Sequence, residues 1–500
     1  MYESTQTQTV LLYPGDNGGH RDATKDRRPS TLESYDSGIG CVCKPDVLEQ
    51  KTYGMSSLEA MLQPILPSFW KRGGLKRHQK VSNLPTAYLD GLRGWAAFLV
   101  VFYHSGKADN RPWLQLPFIH ILDAGHSCVT IFFVISGYVL TYRILKHARK
   151  QEPIAILDTL TSSIFKRWIR LYTPTALASL VVAFAMQLNL LPNPPTVRKS
   201  NVFLQLGHWF NDAVRASNPF ADVRGHWHPD VFRTAYLDQM WTIPVEFRGS
   251  MILFLYCIGV IKTPPRTRMA LTITAILATY LWGVVWIGTF LAGMLAADIS
   301  LSLRPEHFAS SSLPKASSDD GRGVQERSYT PREHALYITS FITSLFVLSQ
   351  PDVLGRPDEP AVWSFLARAI PASWDGGREY FYLLPGALGL VLTVDLYTPL
   401  QKPLLARFSQ YLGAISFGLY AMHLPVIWAV EMRFVRPYCW EVLGDPLWAA
   451  AASLLPLFVL VLCAAEQFDR LDRWCVGFVR RVQGAAFGEW EGQGRTGKLV

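Results

Sequence analysis

The chain alternates long apolar blocks with short polar connections, and this pattern leaves few folds open to it. Of the 500 residues, 49% are hydrophobic and only 17% are charged, whereas charged residues make up about 25% of a typical soluble domain. Because a bilayer offers the backbone no hydrogen-bond partner, apolar runs of this length form helices there. The sequence therefore predicts an all-α fold, a polytopic transmembrane helix bundle embedded in a lipid bilayer.

Candidate membrane spans number about ten, although several are shorter than the roughly 20 residues that a span usually needs. Their boundaries are loose, and residues 267–301 can be divided in more than one way. In chain order the candidates cover residues 88–105, 125–146, 172–191, 241–261, 267–282, 283–301, 335–349, 380–397, 410–430 and 446–468.

Polar segments flank and interrupt this region. Residues 1–80 are predicted to be a disordered cytosolic tail, within which 58–70 is suited to lie at the membrane interface. The transmembrane domain covers residues 84–470 and contains a flexible, Ser-rich cytosolic linker at 302–333. Residues 471–500 are predicted to form a basic cytosolic tail.

Lysine and arginine concentrate in every second connection, which predicts the orientation of the chain. Basic residues stand before the first block, between the second and third, and after the fourth, eighth and tenth. The other connections are short or of mixed charge, as at 431–445. The positive-inside rule then places both termini in the cytosol. This asymmetry and anionic lipid explain the net charge of +9, so no nucleic-acid partner is expected.

The first block, "YLDGLRGWAAFLVVFYH" (88–104), carries ionisable residues at both ends. On a helix, Arg93 and His104 are eleven positions apart and share a face, with Asp90 about 40° away. Ionisable groups inside a membrane usually face the protein interior or a water-filled cavity. His104 is therefore a candidate general base that Arg93 or Asp90 could orient, or else a simple helix–helix hydrogen-bond partner.

The segment "FKRWIRLYTP" (165–174) places Arg167 and Arg170 on one helix face at the predicted cytosolic edge. Guanidinium groups suit phosphate oxygens, and Lys166 and Arg143 are near in sequence. Charge alone is equally compatible with ordinary positive-inside anchoring. A basic pocket here would suit a phosphorylated, soluble donor molecule.

Two further segments carry polar groups into apolar blocks. In "MWTIPVEFRGS" (240–250), Trp241 is expected at the interface, and Glu246 is either a structural partner for an arginine or a proton relay. In "LGAISFGLYAMHLPV" (412–426), Ser416, Tyr420 and His423 share a helix face. Ser416, Tyr420 and His423 form either part of a functional site or a buried hydrogen-bonded network.

The sequence "RGHWHPD" (224–230) offers His226, His228 and Asp230 in a long connection on the opposite side of the membrane. Without a third clear ligand it does not predict a metal site. Acceptor binding or a plain loop is the better interpretation, and no metal is expected.

Five of these segments, taken in order over residues 86–468, resemble the acyltransferase 3 family of integral-membrane acyltransferases. One such motif would be weak, whereas five in sequence are specific. Thr242 stands where the family more often has serine, and the polar tail and Ser-rich insertion suggest a fungal member. The matching segments are "YLDGLRGWAAFLVVFYH", "IFFVISGYVL", "FKRWIRLYTP", "WTIPVEF" and "LGAISFGLYAMHLPV".

The resemblance implies transfer of an acyl group, with acetyl expected, from cytosolic acyl-CoA to a hydroxyl of a lipid, glycan or secondary-metabolite acceptor. It implies that His104 is the general base. No permanently bound cofactor is expected, because acyl-CoA is a co-substrate. The resemblance also implies a catalytic role for Arg93 and Glu246, coenzyme A phosphate binding by Arg167 and Arg170 with Lys166 and Arg143, and supporting roles for Asp90, Trp241, Ser416, Tyr420 and His423.

Two other classes of function remain compatible with the polar residues. A proton-coupled transporter could use His104, Arg93 and Glu246 as its pathway, but we find neither repeat symmetry nor paired broken helices in the sequence. A catalytically silent scaffold could use the same residues only to hold helices together. Measuring coenzyme A binding separates the enzyme from both alternatives.

Overall fold

The computed structural model describes residues 67–68, 85–106, 115–219, 234–304, 328–352, 354, 360–374, 378–444 and 446–496. Over these ranges the chain is helical apart from its connections, and the single β-bridge joins Thr234 to Leu237. The prediction of an all-α fold is thus confirmed for them. Most of the expected N-terminal tail, the segment 58–70 except Pro67 and Ser68, and most of the linker 302–333 lie outside the described residues.

Fifteen α-helices are described in these ranges, and a π-helical segment, Ile427–Val435, lies between the thirteenth and fourteenth. In chain order the helices are α1 Ala87–Gly106, α2 Gly125–Arg149, α3 Pro153–Gln187, α4 Val202–Ala216, α5 Thr242–Val260, α6 Pro265–Leu281, α7 Val285–Leu303, α8 Pro331–Leu348, α9 Ala361–Arg368, α10 Leu383–Leu396, α11 Thr398–Leu404, α12 Arg407–Ala414, α13 Ser416–Val426, α14 Arg436–Leu443 and α15 Pro446–Thr496.

Each of the ten predicted spans overlaps one of these helices, but fewer are long and apolar enough to cross a membrane. Among the described residues five qualify, or up to seven if each of two bent pairs forms one span. The pairs bend by 97° between α10 and α11 and by 70° between α12 and α13. The predicted count of about ten is therefore not confirmed. The five are α2, α3, α7, Asp238–Val260 and Ala451–Phe487.

Two helices run further than the sequence suggested. The predicted loop at 431–445 is wrong, because helical structure continues through Pro425 and the π-helical segment to Leu443. Its acidic residue Glu431 is fully buried and accepts a hydrogen bond from Arg436 at 2.6 Å, so its charge does not mark a surface connection. The second of these helices, α15, continues to Thr496 through most of the predicted basic tail.

Glycines let the central helices approach closely. A Cβ at Gly293 of α7 would lie 2.1 Å from the carbonyl oxygen of Val134, and one at Gly137 of α2 would lie 2.1 Å from that of Phe290. The same relation joins α1 to α12, where a Cβ at Gly94 would lie 2.3 Å from the backbone nitrogen of Gly413. These contacts hold α1 beside the bent pair α12–α13, which brings two sequence motifs together.

Candidate active site

The histidines of two sequence motifs meet at one end of α1 and α13. The ring centroids of His104 and His423 are 4.9 Å apart, with the ring planes inclined by 34°. Near the beginnings of the same helices, Arg93 Nε donates to Ser416 Oγ at 3.0 Å. The two helices therefore run side by side in the same direction. Sequence spacing alone did not predict that these motifs would be paired.

His423 is fully buried, and its Nδ1 lies 3.1 Å from the carbonyl oxygen of Leu419. Only a protonated Nδ1 can donate to that oxygen, so the neutral ring carries its lone pair on Nε2. Nε2 has no hydrogen-bond partner among the residues that the structure describes. His104 is half-buried beside it, with the ring of Tyr103 at 4.9 Å on another side. The arrangement provides two imidazoles that can accept or pass a proton.

Tyr420 connects α13 to the beginning of α5. Its hydroxyl lies 2.7 Å from Thr242 Oγ1 and donates to the backbone carbonyl of Gln239. Its ring centroid is 5.9 Å from that of His423. Trp241, between these two contacts in sequence, packs on Trp286 of α7 at 5.5 Å. The fixed hydroxyl thus ties the start of α5 to α13, one helical turn before His423.

Arg93 lies at the opposite end of α1 from His104. Eleven helical residues separate the two by about 16 Å along the axis, which is too far for the direct contact considered from sequence. Arg93 instead pairs with Asp90 at 3.0 Å and donates to Gly413 O at 3.3 Å. Ser416 is buried at the same junction. The structure therefore gathers Arg93, Asp90 and Ser416 into one cluster and His104 and His423 into another.

Arg167 and Glu246 form an ion pair inside the bundle. The arginine is only 4% exposed, and its guanidinium also donates to Ser250 Oγ at 3.1 Å and to Ser136 Oγ at 3.2 Å. Glu246 thus has an arginine partner, the first of its two expected roles, and its role as a proton relay stays a prediction. Neither serine was singled out in the sequence, although Ser136 lies within the motif "IFFVISGYVL".

Arg170 faces a different partner from Arg167. Asp472 of α15 interacts electrostatically with both Arg170 and Arg93, so the two arginines approach the same carboxylate. Lys166 and Arg143 are half-buried, as is Arg170. The two arginines that sequence spacing placed on one face thus differ, because Arg167 forms an interior ion pair and Arg170 acts electrostatically on Asp472 of α15. Phosphate binding by these four basic residues stays a prediction.

Next to the histidine pair, Asp352 joins Tyr103 of α1 to His126 of α2. Tyr103 donates to one carboxylate oxygen at 2.7 Å, and His126 Nδ1 lies 2.8 Å from the other. Burial raises the pKa of Asp352, but hydrogen bonds from His126 and Tyr103 outweigh burial, and the pKa is lowered overall. The carboxylate therefore anchors the end of α1 that carries His104. Sequence analysis missed it because Asp352 lies in a connection.

Sequence analysis also missed two other buried carboxylates, each of which is the acidic residue of an otherwise apolar block. Asp298 accepts from Arg268 at 2.7 and 2.8 Å and also pairs with Arg149. Asp395 accepts from the hydroxyls of Tyr88 and Tyr138. An acidic residue inside an apolar block is itself a signal of a buried partner, and that signal was available.

No group of three or more metal-binding side chains occurs in the ranges described by the structure. The metal candidates His226, His228 and Asp230 lie outside those ranges. The assembled site is therefore described by its histidines, tyrosine, threonine and buried ion pairs. These groups can accept and donate protons.

Comparison with known proteins identifies the family of this chain. The model of the acyltransferase 3 family, described as an acyltransferase domain, matches residues 86–465. The chain is 30% identical over 388 residues to the O-acetyltransferase PaAT-1 of Phomopsis amygdali, covering 72% of this chain and 76% of that protein. It is 22% identical over 414 residues to the acyltransferase clz18 of Cochliobolus lunatus, covering 70% and 85%. No solved structure matches the chain.

Proposed function

The chain belongs to the acyltransferase 3 family, and we propose that it transfers an acetyl or other acyl group from acyl-CoA to a hydroxyl of a lipid, glycan or secondary-metabolite acceptor. The observation that carries this proposal is the His104–His423 pair, with ring centroids 4.9 Å apart inside the helix bundle. The name of the relative from Phomopsis amygdali, an O-acetyltransferase, supports both the acetyl group and the oxygen acceptor.

In the proposed reaction, His104 accepts the proton of the acceptor hydroxyl as its oxygen attacks the thioester carbonyl carbon. A carbon–oxygen bond forms, the carbon–sulfur bond breaks, and the proton leaves on the thiol of coenzyme A. Neutral imidazole suits this task because its reference pKa is close to neutral pH. The Nε2 lone pair of His423 has no partner among the described residues. His423 is therefore the second group able to hold a proton.

The donor is proposed to enter at the end of α1 that carries Arg93, from the cytosol. Both termini would then be cytosolic, and the chain would cross the membrane about ten times, as the distribution of lysine and arginine predicts. Arg170, Lys166 and Arg143 would hold the phosphates of coenzyme A at that end. The pantetheine arm would extend along α1 toward His104, and the acceptor would approach from the other side.

The test measures release of free coenzyme A by detergent-purified protein supplied with acetyl-CoA and candidate alcohols. His104→Ala is compared with the wild type, and His147→Gln is the matched control because His147 pairs with Glu152 at the far end of α2. We expect turnover to fall at least about 100-fold in His104→Ala, with coenzyme A binding retained and the control unchanged.

Equal turnover in His104→Ala and wild type would contradict the assignment of His104 as the base. Absence of coenzyme A binding by the wild type would contradict the proposed donor and favour a transporter or a scaffold. Coenzyme A binding without turnover, for every alcohol supplied, would contradict the acceptor classes named above.

A further inference from the structure

Gln239 has an unusual environment at the beginning of α5. It lies in the 3-10 turn Asp238–Trp241, is 4% exposed, and accepts the Tyr420 hydroxyl at its backbone carbonyl. Its side-chain atoms Oε1 and Nε2 are both buried, and neither has a hydrogen-bond partner among the described residues. A buried amide with both polar atoms unpaired costs free energy, and most buried polar groups in proteins are paired.

Other buried glutamines of the chain have the partners that Gln239 lacks. Gln410 donates from Nε2 to the carbonyl oxygens of Ala87 and Leu404, both at 2.8 Å. Gln205 donates to the hydroxyl of Tyr236 at 2.7 Å and accepts from the backbone of Lys199. These two side chains hold helices or connections together. The amide of Gln239 does not, so packing between described residues does not account for it.

Gln239 is linked to the histidine pair by successive contacts. Its backbone accepts from Tyr420, whose ring centroid is 5.9 Å from that of His423, which in turn is 4.9 Å from that of His104. His423 Nε2 is likewise buried without a partner in the described ranges. Both residues that touch Tyr420 in this way therefore carry a buried polar side-chain atom without a described partner.

Acyl transfer to oxygen also needs a hydrogen-bond donor for the carbonyl oxygen, and two nearby candidates, Arg167 and Tyr420, already donate elsewhere. When the hydroxyl oxygen adds to the thioester, the carbonyl oxygen becomes negatively charged, and a pre-positioned N–H stabilises that charge. Side-chain amides of asparagine and glutamine serve in such oxyanion holes. Arg167 is committed to Glu246, and the Tyr420 hydroxyl already donates to Gln239.

We propose that Gln239 is the oxyanion donor of this enzyme, with its Nε2 hydrogen-bonded to the carbonyl oxygen of the acyl group. This inference rests on the proposed acyl transfer. As the hydroxyl oxygen adds to the carbonyl carbon, the oxygen bound to Nε2 gains the negative charge. When the carbon–sulfur bond breaks, that oxygen returns to a carbonyl, and the amide keeps both of its protons throughout.

The test combines kinetics with thermal stability in three variants. Gln239→Leu removes the amide, Gln239→Glu keeps the size but removes the N–H, and Gln410→Leu is the control that removes a satisfied amide. We expect kcat to fall about 100- to 1,000-fold in both Gln239 variants, with KM for acetyl-CoA and alcohol near wild type. The melting temperature should be unchanged or higher in Gln239→Leu and lower in Gln410→Leu, because only the latter loses hydrogen bonds.

Three results would overturn the inference. A normal kcat in Gln239→Leu would exclude the amide from the reaction, and a lower melting temperature with normal kcat would make it structural. A raised KM for the alcohol with unchanged kcat would make it an acceptor-binding residue instead. These results require an active wild type, whereas failure of the proposed function appears as a wild type that neither binds coenzyme A nor turns over.

Discussion

Arg167 of α3 and Glu246 of α5 form an ion pair in the interior of the helix bundle, where the arginine is only 4% exposed. Ser136 of α2 and Ser250 of α5 complete the hydrogen bonds of the guanidinium. One buried pair thus connects three sequence motifs. Arg170, one turn further along α3, lies outside this pair and interacts electrostatically with Asp472 of α15, as Arg93 does.

Removing one member of this pair should destabilise the protein more than removing both. Arg167→Met alone strands a buried carboxylate and should cost about 3–5 kcal/mol, whereas the double variant Arg167→Met/Glu246→Leu should recover most of that loss. Thermal unfolding in detergent measures both. The control is Arg473→Ala, whose side chain is 57% exposed and whose pair with Asp469 at 2.9 Å should contribute about 1 kcal/mol at most. A double variant no more stable than Arg167→Met would contradict an isolated interior pair.

Replacing His423 with asparagine should separate the roles of its two ring nitrogens. The asparagine amide can still donate to the carbonyl of Leu419, as Nδ1 does at 3.1 Å, but it has no atom in place of Nε2. We expect turnover to fall about tenfold or more, by less than in His104→Ala, with coenzyme A binding retained. Initial rates on the purified variants give the ranking. If His423→Asn were the more damaging change, the roles of the two histidines would be exchanged.

Adding one methyl group should disrupt the crossing of α2 and α7 but not the exposed face of α5. In Gly293→Ala the new Cβ would lie 2.1 Å from the carbonyl oxygen of Val134, and such overpacking costs about 1–3 kcal/mol or more. In Gly259→Ala the Cβ would meet nothing within 4 Å, and alanine should be neutral or stabilising by about 0.5–1 kcal/mol. Melting temperatures of the two variants test this. Similar values for both would contradict the close crossing.

Acid should destabilise the protein through His120, which lies in the 3-10 turn Ile119–Asp123 between α1 and α2. Burial lowers the pKa of His120, and the nearby carboxylate of Asp352 opposes that shift only in part. Below the ordinary value of about 6.5, the unfolded chain therefore binds a proton that the folded chain excludes, and stability falls as pH falls.

The measurement is the unfolding free energy of wild type and His120→Gln at several pH values between 5 and 7.5. The wild type should lose up to about 1.4 kcal/mol per pH unit more than the variant below pH 6.5. The two should run parallel above that value, where the histidine is neutral in both states. Identical slopes throughout would show that His120 is not the group responsible.

The sequence determined the class of protein and the order of its motifs, because both are encoded locally. Apolar runs require helices in a bilayer whatever their neighbours are, and every predicted span overlaps a helix. The spacing of Ser416, Tyr420 and His423 placed them on one face of α13 for the same reason. Local pattern failed at 431–445, where Glu431 looks like a loop residue but is fully buried beside Arg436.

Only the tertiary structure decided which motifs meet. Arg93 and Ser416 are 323 residues apart in the chain, and no periodicity in either helix indicates that α1 would lie along α13 and bring His104 to His423. That pairing follows from where backbones can approach, at glycines such as Gly94 and Gly413. The same packing buried the amide of Gln239 without a described partner, because burial depends on all surrounding helices at once, whereas helix formation depends on neighbours in sequence.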